Sequence, residues 1–204
     1  MSEKQIELSC ILDEDQMHFG GDQHWYKAKW HSLSGCGPTV AATILAHLAE
    51  RDPKCRALYG YDFPLQKTDF VEHMQEVREY VKPGVKGLTS KNFFACEAKR
   101  FAESRGVSLK TNIINRDYSA GEAYARIKTA IDNGYPPALL ILKNPAPELE
   151  EFTWHWMVVI GYKENMQIIM TTWGKIFDLD FSKVWNQEGK NSCGLVEILP
   201  DADE

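Results

Sequence analysis

The chain of 204 residues has no run of basic residues, no apolar stretch approaching the roughly 20 residues of a membrane span, and no closely spaced cysteine pair. Each lack removes a class of function. With no clustered Lys and Arg and a formal net charge of -6, the chain offers no phosphate-binding footprint, so nucleic acid is not expected as a partner. With no candidate span, a membrane role is not expected either. Met1 to Cys10 lack the charged-then-apolar order of a secretory signal, so a cytoplasmic location is expected. Cys10, Cys36, Cys55, Cys96 and Cys193 are odd in number and irregularly spaced, which fits neither a disulfide framework nor a paired-thiol zinc site and points to a reducing compartment. His18, His24 and His31 match no common ligand spacing, so neither a metal nor another cofactor is expected. Internal repeats and low-complexity segments are also missing.

What is present is a hydrophobic fraction of 44%, enough for one globular unit spanning 1–204. The opening stretch to about Leu33 has no sustained period and reads as an arm or short strand followed by loop. Val40, Ala41, Ile44, Leu45 and Leu48 then define a helix from about Gly37 to Glu50 whose wide apolar face suits a central buried position. Further helices are expected over about 67–81, from about Thr89 to Gly106, and from Ser119 to Asn133, where Ser119 and Glu122 form a capping box. Val107 to Ile114 reads as a strand. After Pro137 the period shortens. Residues 138–142, 155–162, 167–172, 175–179 and 194–199 read as strands, with a small helix at 181–185. Helices first and antiparallel strands later imply an α+β class, with a mainly helical lobe over about 30–134, a mainly β lobe over 135–200, and a site in the cleft between them.

Ser34-Gly35-Cys36-Gly37-Pro38-Thr39 places a thiol where a helix begins. Free backbone N–H groups and the positive end of the helix dipole favour thiolate there. His155 leads the strand His155-Trp156-Met157-Val158-Val159-Ile160 after a loop, and its side chain can project across a cleft as the base that an activated thiol needs, flanked by Trp154 and Trp156.

Cys36-Gly37-Pro38-Thr39, His155-Trp156-Met157-Val158-Val159-Ile160-Gly161-Tyr162 and Thr172-Trp173-Gly174-Lys175, in that order, resemble the papain-like cysteine peptidases. The similarity runs from about Trp30 to Leu199. It is nearest to the bacterial branch that includes the double-glycine, bacteriocin-leader-processing peptidases. The resemblance implies a papain-like fold, Cys36 as nucleophile, His155 as general base and acid, Trp173 as the indole shielding the histidine's orienting bond, and a peptide or protein as substrate.

Two positions depart from that pattern. Where the family has an Asn or Asp two residues before the shielding tryptophan, this chain has Thr171, with Thr172 and Asp178 as nearby substitutes. Where the family has an oxyanion-hole glutamine about six residues before the cysteine, this chain has Trp30. Gln23 lies well upstream, His31 and Ser34 are neighbouring donors, and the Cys36 N–H is the first expectation. Three functions follow: hydrolysis of a peptide or related amide through a Cys36 thioester, acyl transfer by the same thiol, and peptide or protein binding without turnover.

Overall fold

The strand-forming runs of the C-terminal third alternate between two buried faces, and that alternation organises the molecule. In a computed structural model, which describes residues 3–186 and 192–201, they form one antiparallel sheet. Its strands are β4 (Leu109–Ile114), β5 (Ala138–Lys143), β6 (His155–Tyr162), β7 (Gln167–Thr172), β8 (Lys175–Asp180) and β9 (Ser192–Pro200), in the order β4-β9-β5-β6-β7-β8. A short β1 (Lys4–Gln5) adds to the far end of β6.

Leu140, Trp156, Val158, Ile160, Ile169 and Val196 face one core, and Leu139, Ile141, Met157, Val159, Ile168 and Met170 face the other. With apolar side chains on both faces, each face needs a helical layer. Helices α2 (Cys36–Arg51), α3 (Lys67–Tyr80) and α4 (Lys91–Ser104) cover the first. Helices α5 (Ala120–Asp132) and α6 (Phe181–Val184) cover the second. The structure is therefore α+β, with β4 drawn from inside the mainly helical stretch and α5 lying behind the sheet.

Helix α2 is buried continuously from Gly37 to Ala49. Its fully buried Ile44, Leu45 and Leu48 each contribute about 1.5–3 kcal/mol of apolar burial, so the helix carrying Cys36 is fixed by the core rather than by its caps. Helix α5 has the foreseen capping box, with Ser119 and Glu122 bonding each other's backbone. The opening stretch differs from expectation. It forms the hairpin β2 (Cys10–Asp13) and β3 (Gln16–Phe19), a 3-10 turn over Gln23–Trp25 and the helix α1 (Lys29–Ser34). At six residues, with Trp30 and Leu33 exposed and only Ser34 buried, α1 is too short and too outward-facing to leave a period.

Candidate active site

The glycines around Cys36 have a packing cause. A Cβ on Gly35 would lie 2.4 Å from the His31 carbonyl oxygen, and one on Gly37 would lie 2.4 Å from Leu88 Cδ2. Only glycine fits at 35, against a backbone oxygen, whereas a Cβ at 37 would require the Leu88 side chain to move. Cys36 is then the first residue of α2, half-buried, with Pro38 in the opening turn where its missing N–H leaves no bond unmade. Burial is the largest influence on the Cys36 thiol, opposed by the backbone amides of Trp156, Gly37 and Cys36 itself and, least, by the Arg78 charge. These lower the thiol pKa, but burial outweighs them and the net displacement is upward, so the isolated thiol rests neutral.

His155 opens β6 and is 6% exposed. Its Nε2 lies 2.6 Å from Thr172 Oγ1, and its ring stacks on Trp173 at 4.6 Å between centroids. Trp173 and Gly174 form the two-residue β7–β8 turn with φ of 51° and 67°, the mirror-image turn that matches strand twist. A tryptophan at positive φ costs of order 1–3 kcal/mol, and it is held by stacking between His155 and Phe152 and edge-on contact with Phe177. Burial pushes His155 down to about 4, with the His24 charge adding to the fall and Asp22 opposing it. The imidazole is therefore neutral across the physiological range.

The hydroxyl that meets the His155 ring is that of Thr172, where the family pattern pointed to Thr171. Strand parity is the reason. Thr172 shares the face of Met170 and His155, whereas Thr171, opposite Val158, shares the face that packs on α2. Thr171 Oγ1 instead bonds the carbonyl oxygens of Phe19 and Lys175, tying the β2–β3 hairpin to β7 and β8. Asp178 pairs with Lys163 at the surface, 2.8 Å away, and takes no part.

The remaining candidates also separate. Ser34 donates its single proton to the Trp30 carbonyl at 2.7 Å, so it has none for an oxyanion. His31 packs edge-on against Tyr26, and burial and the Arg78 charge lower its pKa. Trp30 is 49% exposed and walls an open groove of about 300 Å³ with Leu33, Val85, Leu88 and Trp154, leading to Cys36. Trp156, which flanks His155 in sequence, turns to the other face and stacks on Phe94, and it is Trp173, backed by Phe152, that covers the His155 ring.

Gln23 returns to the site. The intervening residues are taken up by the 3-10 turn and α1, which brings Gln23 to a cavity of about 10 Å³ that Cys36, Thr172 and Trp173 also line. Its Nε2 donates one proton to the Ser32 carbonyl at 2.8 Å and has a second to give. The signal in the sequence was a glutamine just after Gly20-Gly21, ahead of a stretch short enough to loop out. Thiol and imidazole thus approach one cavity, Cys36 as a lining residue and His155 through Thr172 and Trp173. Among the described residues no hydrogen bond joins the two directly. His18, His24 and His31 sit in separate settings, and no group of three metal-ligating side chains occurs among the described residues.

No curated protein sequence matches the chain. In three dimensions it is similar to the Pseudomonas avirulence protein AvrPphB at 10% identity and a TM-score of 0.41, over 89% of this chain and 96% of that one. A family model described as "Peptidase_C39 like family" matches residues 15–193. That match spans most of the chain, the three motifs included, and the protein belongs to the Peptidase_C39 like family, related to the cysteine peptidases.

Proposed function

We propose that the protein is a papain-like cysteine hydrolase that cleaves a peptide or related amide at Cys36. The observation that carries this reading is the single cavity lined by Cys36, Gln23, Thr172 and Trp173, the last two being the residues that hold His155. With Nε2–H donated to Thr172, His155 keeps its Nδ1 lone pair for the thiol proton. Because both groups rest neutral, the proton moves as the bond forms: Sγ attacks the substrate carbonyl carbon while the imidazole takes the thiol proton. The oxyanion then accepts from the Cys36 N–H and the free Gln23 Nε2–H. Collapse breaks the C–N bond, the imidazolium gives its proton to the leaving amine, and a thioester remains. Water attacks the thioester with His155 taking one of its protons, which returns to the departing sulfur as the acid forms. The groove walled by Trp30, Leu33, Val85 and Trp154 suits an extended peptide with an apolar side chain beside the scissile bond.

The test is digestion of a mixed peptide library followed by mass spectrometry, with Cys36→Ala, His155→Ala and Gln23→Ala as comparisons. The first two are expected to abolish cleavage in a folded protein. The third is expected to lower kcat by about 10²-fold, the usual loss of one oxyanion donor. An intact library, together with iodoacetamide labelling Cys36 no faster than Cys55 or Cys193, overturns the reading.

A second reading, a peptide-binding module without turnover, is favoured by the uncharged Thr172 against His155 and by the lack, among the described residues, of a hydrogen bond between the neutral thiol and the neutral imidazole. Thr172→Asn discriminates between them. If it creates cleavage where the natural protein has none, the protein is a binder.

A further inference from the structure

Arg78 is a buried cation without a counter-ion. It lies on the inner side of α3 at 4% exposure, and no ion pair with a carboxylate holds it among the described residues. Its Nη2 donates to Ser34 Oγ at 3.2 Å, its Cζ sits 5.5 Å from the centre of the Tyr26 ring, and its Nη1 is buried with no partner. Placing an unpaired charge there costs several kcal/mol, and an apolar side chain of similar length would avoid that cost. Folding alone gives no reason for it. Glu79, the carboxylate whose field reaches it, is 70% exposed and paired with Lys82 on the outer surface. The other titratable groups facing it are Tyr26, His31 from α1, and Cys36 from α2.

We propose that Arg78 is a positioning residue for Cys36: its guanidinium, aimed by Ser34 and Tyr26 beside the turn that opens α2, supplies the positive charge that stabilises the sulfur as thiolate. The inference rests on the hydrolase reading for its purpose, but not for its test. Arg78 opposes the burial that pushes the Cys36 thiol upward, and its guanidinium is held by Ser34, two residues before the thiol, whereas His155 has its own charge withheld by burial. A neutral imidazole adds no charge to favour the minor thiolate form of a thiol that rests neutral, so a fixed cation is the natural source of that stabilisation. Tyr26 cannot cancel it, because burial drives the phenol pKa far above the physiological range.

The measurement is the pH dependence of Cys36 alkylation by iodoacetamide, followed by peptide mass mapping, in the natural protein, Arg78→Met, Arg78→Lys and His155→Ala. Arg78→Met is expected to raise the apparent thiol pKa by about one unit, a roughly tenfold fall in thiolate at neutral pH, with no loss of melting temperature. Arg78→Lys should restore part of the shift. His155→Ala should leave the thiol pKa within a few tenths of the natural value, a readout that needs no Arg78 variant. An unchanged profile in Arg78→Met overturns the proposal. So does a His155→Ala thiol that climbs by a unit or more, or an Arg78→Met chain that does not fold, which would assign Arg78 to structure. Since alkylation needs no substrate, an Arg78-dependent thiolate without peptide cleavage would sink the hydrolase reading alone, and cleavage with an Arg78-independent thiol would sink the present proposal alone.

Discussion

Replacing Thr172 by valine keeps the branched shape and removes only the oxygen that holds His155. That oxygen lies 2.6 Å from Nε2, and both residues are buried, at 7% and 6% exposure. A neutral buried hydrogen bond contributes about 1 kcal/mol net, and leaving the ring nitrogen without a partner costs about 1–3 kcal/mol in desolvation. The folded state should therefore lose about 1–3 kcal/mol, or roughly 2–4 °C in Tm for each kcal/mol in a chain of this size. The catalytic consequence is larger than the stability change implies, because a ring free to rotate about χ2 presents Nδ1 to the thiol for only part of the time. Each 1.4 kcal/mol of lost orientation is about tenfold in rate. Thr171→Val is the matching control: its hydroxyl binds the carbonyls of Phe19 and Lys175 on the opposite face, so it should cost similar stability with the imidazole undisturbed. Thermal unfolding and kcat/KM on a cleaved peptide, with ¹⁵N shifts of the His155 ring as the reporter of its tautomer, separate the two variants. If Thr171→Val alters the His155 shifts and Thr172→Val leaves them unchanged, the assignment of the orienting residue by strand parity is wrong.

Acid should destabilise the fold through two buried histidines. Burial holds His155 down at about 4 and His73 at about 3, against 6.5 for an ordinary histidine, so the unfolded chain binds these protons first. Their contribution is complete above pH 6.5 and falls as pH drops through that value, levelling only below the folded-state values; at pH 5 the loss is about 2 kcal/mol per histidine. Urea midpoints at pH 7.5 and 5 measure it, and equal midpoints would contradict the burial argument. Gly35→Ala should cost about 2–4 kcal/mol, because its Cβ would sit 2.4 Å from a backbone oxygen that cannot yield cheaply. Gly121→Ala, in open space on α5, should instead gain up to about 1 kcal/mol; calorimetry of the two variants checks both signs.

The long elements were legible because their periods are unambiguous. Val40 to Leu48 repeat on one helical face, Ser119 and Glu122 announce a cap, and the runs of β6 and β7 are bounded by loop residues. The six-residue α1 and the four-residue strands of the first hairpin were not legible, since one or two turns of amphipathic pattern cannot be told from loop. The threonine that His155 meets lies one residue from the position the family spacing indicates, for a related reason. Counting back from Trp173 ignores which face each strand residue occupies, and a shift of one reverses the face.

The sequence by itself determined the chemistry on offer: one thiol at a helix start between two glycines, one histidine leading an apolar strand, and a tryptophan–glycine pair after two threonines. These are local properties, set by residues within a few positions of each other. Only the tertiary structure decided which groups meet. Strand parity gave His155 to Thr172, the looped-out α1 carried Gln23 back to the cavity that Cys36 lines, and helix packing left Arg78 without a counter-ion against Ser34, two residues before the thiol. Those contacts join segments far apart in the chain, where sequence spacing carries no information about distance.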